Sequence, residues 1–190
     1  AFGTALGIII AVGIVHVATL DRSLMPWIIA SQTIPILAVA PMIIVVLGAI
    51  GISGLIPKAM ISTYLSFFPV TVGMVKGLRS PEIMHLDLMH TYNASRAQTF
   101  WKLRVPASVP FLFTSMKVAV AASLVGAIVG EFAGASDGLG YVIQFASTQL
   151  DTALVFAALL LVSVLGIAFY YAAEILERIV VPWAPKFSQS

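Results

Sequence analysis

The sequence predicts an all-α integral membrane protein, with one transmembrane domain over residues 1–190. Two observations carry this. Residues of the hydrophobic class make up 60% of the chain and charged ones only 9%, with mean hydropathy +1.04, against about 25% charged in a typical soluble domain. The apolar residues also form five continuous runs of about 16–24 residues, the length of membrane helices, not the alternating pattern of barrel strands. The chain has no cysteine, which excludes disulfides and thiol chemistry.

The first run, residues 2–20, begins at once, with no Met, basic segment or small-residue cleavage site before it. A signal peptide is not supported, and the chain is expected to be N-terminally incomplete. The second run, 27–50, holds Ser31, Gln32, Thr33 and Pro35 one to two turns in, with Pro41 deeper. Two prolines in one membrane helix free backbone carbonyls, which is tolerated where the helix is buried in protein or lines a cavity. Two readings follow: a bent packing helix, or a gate in a translocation path with Ser31, Gln32 and Thr33 facing a solute. The third run, 59–74, is short, and Pro69 is expected to kink or break it.

The fourth run, 109–129, follows Pro106 and Pro110 and contains Lys117, eleven residues past Pro106. At about 1.5 Å per residue that is roughly 16 Å, the middle of a hydrocarbon core about 30 Å thick. A charge at that depth is a functional candidate, here a cation facing the translocation path; a Lys paired in an interface or snorkelling outward also fits. Glu131 lies roughly 21 Å further along the same helix and is expected to order an outer loop or a subunit interface. That loop, "GASDGLG", is turn-rich, and Gly138 and Gly140 let it fold close to the bilayer, with residues 141–147 as a re-entrant turn. The fifth run is 153–171. The tail "WAPKFSQS" is expected to anchor at the interface and then fray.

Lys and Arg set the orientation. With residues 76–105 placed in the cytoplasm, that side holds Arg22, Lys76, Arg79, Arg96, Lys102, Arg104, Arg178 and Lys186, and the other only Lys58. Eight basic residues against one predict a cytoplasmic loop and a cytoplasmic C-terminus.

The polar island within that loop, residues 87–106, reads "DLMHTYNASRAQTFWKLRVP". Ser80, Pro81 and Glu82 form a helix start. Asn93, which tolerates the left-handed region, ends that helix near Tyr92, and Ser95 caps a second helix running to about Val105. Leu86, Met89, Phe100, Trp101 and Leu103 are too many apolar groups for a solvated loop. The residues alone leave open an amphipathic segment resting on lipid headgroups and a protein-docking element.

No chemistry is visible. His16, His85 and His90 have neither the spacing nor the companions of a metal set. No Ser, His and Asp are placed together for nucleophilic catalysis, and GxxxxGK[ST] is absent.

The island resembles the EAA loop of ABC importer permeases: Glu-Ala-Ala, three residues, Gly, nine residues, Ile-x-Leu-Pro. Asp87-Leu88-Met89 stand at the first position, Asn93 at the Gly, and Leu103-Arg104-Val105-Pro106 at the last. The spacing matches throughout; identity is poor apart from Pro106. "ASQTIPILAVAPMIIVVLG" and "GAIVGEFAGASDGLGYVIQFAS" resemble the subfamily that carries nitrate, sulfonates, taurine, bicarbonate and thiamine or riboflavin precursors. "FLFTSMKVAVAASLVGAIVGE" is most similar to permeases for pyrimidine or thiamine precursors and riboflavin.

The resemblance implies a type I importer permease fold with about five membrane helices, in a bacterial inner membrane. Residues 80–105 would be its coupling loop, with Asp87, Leu88, Met89, Asn93, Ala94, Ser95, Phe100, Leu103 and Pro106 meeting a cytoplasmic ATPase subunit. A second permease copy and an extracytoplasmic binding protein complete the implied assembly. ATP and Mg belong to the ATPase; this chain is expected to hold no cofactor, to catalyse nothing and to bind no nucleic acid. The rival class, a stand-alone channel or secondary transporter, predicts an intramembrane acidic, His or Arg relay and leaves the island unexplained. An intramembrane enzyme would need a paired catalytic constellation in the apolar runs.

Overall fold

The structure, a computed structural model, describes residues 1–183, and the tail at 184–190 with Lys186 lies outside the described residues. Among those residues all regular elements are helical. They are α1 (Phe2–His16), α2 (Ala18–Ser31), α3 (Ile36–Ala49), α4 (Leu55–Leu78), α5 (Ile83–Thr91), α6 (Arg96–Thr99), a π-helical turn (Phe100–Arg104), α7 (Val105–Phe132), α8 (Leu139–Thr148) and α9 (Thr152–Val180).

The centre is the pair α4 and α7, antiparallel and joined through α5 and α6. They approach through small residues. A Cβ built on Gly73 would lie 2.5 Å from the Ser115 Cβ, one on Gly77 2.9 Å from the Ser108 Cα, and one on Gly126 2.8 Å from the Ser62 Cα. Lipid tails are as apolar as Leu, so membrane helices gain little from hydrophobic exclusion and associate by close packing instead. On another face of α4 lies α1, running parallel, with Gly3 against Ser66 and Gly7 against Phe67 and Val70. Ala11, Ile14, Met74, Val75 and Leu78 complete that core.

The run at 27–50 is two helices. α2 and α3 meet at a bend of 98°, where the sequence suggested one bent helix. The break falls at Pro35; Pro41 stays inside α3. Beyond it, Ala40 packs against Ile61 of α4 and Val129 of α7. Pro69 does not break α4, which runs 24 residues without interruption.

Among the described residues three helical stretches are long and apolar enough to cross a membrane: α4, the continuous run Arg96–Phe132, and α9; the bent pair is a fourth if counted as one span. α1 is apolar but only 15 residues long. α9 extends nine residues past the sequence-based end at Tyr171 and buries only Ala158 and Ala173 against the rest of the chain. Its remaining apolar surface suits lipid or another membrane subunit.

The small-residue contact generates a test. Gly126→Ala is expected to cost about 1–3 kcal/mol by overpacking against the Ser62 backbone, read as a lowered unfolding temperature in detergent. Gly48→Ala, where no atom lies within 4 Å of the new Cβ, is expected to cost nothing; equal losses at both positions would contradict the packing.

Candidate functional site

Four polar constellations interrupt the apolar bundle. The first is the loop α5–α6. Ser80 does not cap α5, because its Oγ donates to the Gly77 carbonyl at 2.7 Å and closes the end of α4. α5 therefore starts two residues later than expected, with Glu82 as its N-cap. It ends in a left-handed turn at Asn93, φ 52°. The Ala94 N–H donates to Met89 O at 3.0 Å and the Asn93 N–H to His90 O at 2.9 Å, the paired bonds of a Schellman motif. Ser95 then opens α6 with a capping box: its Oγ accepts from the Gln98 N–H at 3.2 Å, and Gln98 Oε1 accepts from the Ser95 N–H at 2.7 Å.

The second short helix does not stop at Val105. α6, the π turn and α7 form one helical run of 37 residues. Pro106 has no N–H, and its ring clashes with the carbonyl four residues back in a regular helix. The wider π turn at Phe100–Arg104, with the Val105 N–H donating to Phe100 O, sits where that clash would fall. Pro106 thus lies in the first turn of α7, at the entry to the membrane helix. Arg104 donates to Leu78 O at 3.2 Å, and Arg79 pairs with Asp21 at 2.9 Å, so the loop is tied to the ends of α4 and α2.

The loop's apolar side chains divide. Phe100 turns inward and meets the His16 ring edge to face at 4.6 Å; Leu103 is half-buried. Ile83, Met84, Leu88, Tyr92 and Trp101 face outward, together with exposed Asp87, Asn93 and Ser95. Ile83, Met84 and Tyr92 were not among the sequence candidates, though their apolar character beside the island was visible.

The second constellation is the break itself. Ser31 ends α2, Gln32 caps it, and Pro35 starts α3. Ser31 Oγ donates to Ile28 O and Thr33 Oγ1 to Ala30 O, both at 2.7 Å, while Gln32 Nε2 reaches Ser31 Oγ at 3.3 Å. The Tyr64 hydroxyl of α4 donates to the Ser31 carbonyl. Tyr64 was missed in the sequence because it lies 33 positions away.

The third is Lys117. Its Nζ lies 2.5 Å from Glu177 Oε2 on α9, each side chain 19% exposed, and 5.7 Å from the centre of the Tyr170 ring. Side chains lean toward the N-terminus of their own helix. On antiparallel α7 and α9, Lys117 and Glu177 therefore lean toward each other. Glu177 is about 37 Å along α9 from Thr152, more than a hydrocarbon core of about 30 Å. The pair sets Lys117 of α7 beside the C-terminal part of α9. The truncated reading of α9 hid its partner.

The fourth lies at the opposite end. Glu131 Oε2 accepts from the Gly140 N–H at 2.7 Å, and Lys58 approaches Glu131 at 3.9 Å and Asp137 at 3.8 Å. A Cβ on Gly140 would lie 2.7 Å from Ile128 O, and Gly138 has φ 111°, so both glycines are required by the fold. Residues 141–147, expected as a re-entrant turn, lie within the ten-residue helix α8. Among the described residues no three His, Asp or Glu side chains gather as for a metal ion.

Known proteins share this chain's sequence over nearly all its length. The family model for binding-protein-dependent transport system inner membrane components matches residues 3–181. The formylaminopyrimidine transport permease protein ThiX of Halalkalibacterium halodurans is 36% identical over 186 residues, which is 98% of this chain and 73% of that protein. The riboflavin transport system permease protein RibX of Chloroflexus aurantiacus is 34% identical over 88% of this chain and 61% of its own length. The taurine transport system permease protein TauC of Escherichia coli is 24% identical over 96% of this chain and 63% of its own length.

The ion pair generates a second test. Lys117→Met strands the Glu177 carboxylate and is expected to destabilise the detergent-solubilised protein by about 3 kcal/mol. Adding Glu177→Gln is expected to restore most of that loss, as read by thermal unfolding. A double variant no better than the single one would mean that the two groups are not coupled.

Proposed function

The chain belongs to the family of binding-protein-dependent transport system inner membrane components, and from this we propose that α5–α6 is where an ATPase subunit docks and the α2–α3 break is where solute passes. As a member, it is a membrane permease subunit of an ABC importer for small solutes. Its system includes an ATPase and a substrate-binding protein.

One observation supports the docking reading most strongly: the helix at the loop's tip is continuous with membrane helix α7. A push on the α6 end at exposed Ser95 has no flexible joint in which to dissipate before α7, and α5 with Asp87 and Leu88 joins that end through the Schellman turn at Asn93. In our reading a pair of ATPase subunits, which bind ATP and Mg, grips Asp87, Leu88, Met89, Asn93, Ala94 and Ser95 from the cytoplasm. Phe100, Leu103 and Pro106 act behind them, joining the tip to α1 and α7. Closure of the ATPases tilts the run and the α4 packed on it, and the pathway turns from inward-open to outward-open. Residues 76–105 and the C-terminus are cytoplasmic in this arrangement, and two copies of the chain form the pathway.

Ser31, Gln32, Thr33 and Pro35 line the path at the break, offering hydrogen-bonding groups without net charge. Lys117 enters the path only as half of an ion pair, which favours a solute recognised by hydrogen bonds over a bare anion. A pyrimidine or thiamine precursor, or riboflavin, fits this better than nitrate, a sulfonate or taurine. The names of the relatives at 36% and 34% identity point the same way. Glu131, Gly138 and Gly140 order the outer face, where the binding protein delivers.

The docking reading is tested on the intact assembly. Asp87→Lys combined with Asn93→Pro is expected to weaken ATPase retention at least about tenfold, the ratio that 1.4 kcal/mol produces, and to abolish uptake into vesicles. Full retention of the ATPase with unchanged uptake would overturn it.

A further inference from the structure

The break between α2 and α3 leaves the Ser31 carbonyl without a donor from its own segment. In an uninterrupted helix the N–H of residue 35 would donate to the carbonyl of residue 31. Residue 35 is proline, which has no N–H. The neighbouring carbonyls are served from within the segment: Ile28 O by Ser31 Oγ, Ile29 O by the Gln32 N–H, and Ala30 O by the Thr33 N–H and Oγ1. The Ser31 carbonyl is served from another helix, by the Tyr64 hydroxyl. Inside a membrane an unsatisfied carbonyl is costly, so this bond favours the bend in the position seen.

We propose that Tyr64 is a positioning residue of the transport cycle. Its hydroxyl stands in for the N–H that Pro35 lacks and ties the α2–α3 bend to α4. α4 packs along α7 through Gly73, Gly77 and Gly126, so a movement of the loop end reaches the bend through the Tyr64 hydrogen bond beside the apolar packing of Ala40 on Ile61 and Val129. Release of the Ser31 carbonyl frees α3 to swing; recapture sets it back. This rests on the reading of the break as part of the solute path.

The chain has no cysteine, so Ile34→Cys, at an exposed position in the break, gives a unique thiol. Its rate of reaction with a membrane-impermeant maleimide is measured in the assembled transporter in vesicles, with and without ATP and Mg. Four backgrounds are compared: unaltered, Tyr64→Phe, Pro35→Ala, and both together. With neither change the rate is expected to depend on nucleotide. Tyr64→Phe is expected to reduce that dependence about tenfold, the scale set by one lost hydrogen bond. Pro35→Ala restores the local donor, so adding Tyr64→Phe to it is expected to change the rates by less than about twofold. Retention of the ATPase on purification shows that each variant is folded.

If the rate responds to nucleotide but Tyr64→Phe acts equally in both backgrounds, or not at all, the Tyr64 proposal is overturned while the path reading stands. If the rate responds to nucleotide in none of the four, the path reading fails and the proposal falls with it.

Discussion

The close contact between α4 and α7 is the constraint on which the other features depend. It exists because Gly73, Gly77, Gly126 and Gly130 leave room for the facing chain. α1 lies on another face of α4 through Gly3 and Gly7. The loop α5–α6 spans from the end of one member of the pair to the start of the other. Tyr64 of α4 holds the break, and Lys117 of α7 holds α9. In lipid such helices have no water-driven force to press them together, so the glycines and serines decide which faces meet.

Polar groups pin the two ends of that pair. At one end Arg104 reaches the Leu78 carbonyl and Arg79 reaches Asp21. At the other, Lys58 of α4 lies between Glu131 of α7 and exposed Asp137. Small residues in the middle and polar clasps at the ends make the pair a single lever. The π turn before Pro106 lets the lever extend beyond α7 into α6 without a joint. Exposed Arg79–Asp21 contributes little and sets register more than stability, while Lys58 and Glu131 are largely buried but 3.9 Å apart, a looser pair than Lys117 and Glu177 at 2.5 Å. Lys117–Glu177, with each side chain 19% exposed, is the pair whose separation carries a large cost.

The fold was legible where local chemistry decides it. The apolar runs mark the helices, and Asn93 and Ser95 mark the turn between α5 and α6, because a left-handed residue and a hydroxyl cap act within a few positions. What the sequence could not show was pairing across helices. Glu177 was lost because Glu174, Glu177 and Arg178 end the apolar run near Tyr171, although α9 continues to Val180. Tyr64 reads as one aromatic among many until Ser31 is brought beside it. Prolines misled in both directions: Pro35 breaks the chain, while Pro26, Pro41, Pro69 and Pro110 stay inside helices. At Pro35 the freed Ser31 carbonyl is taken up from another helix, by Tyr64, a contact that no local pattern shows.

In our reading the loop tip and α7 move as one body while the helix beyond the break moves relative to it. Spin labels at Ala97 and Val125, both exposed on the continuous run, and at Ala97 and Leu37, across the break, report this directly. Pairwise distances are compared in the assembled transporter with and without trapped ATP. The Ala97–Val125 distance is expected to stay constant and the Ala97–Leu37 distance to change. A run that bends between Ala97 and Val125 while Ala97–Leu37 stays fixed would contradict the account.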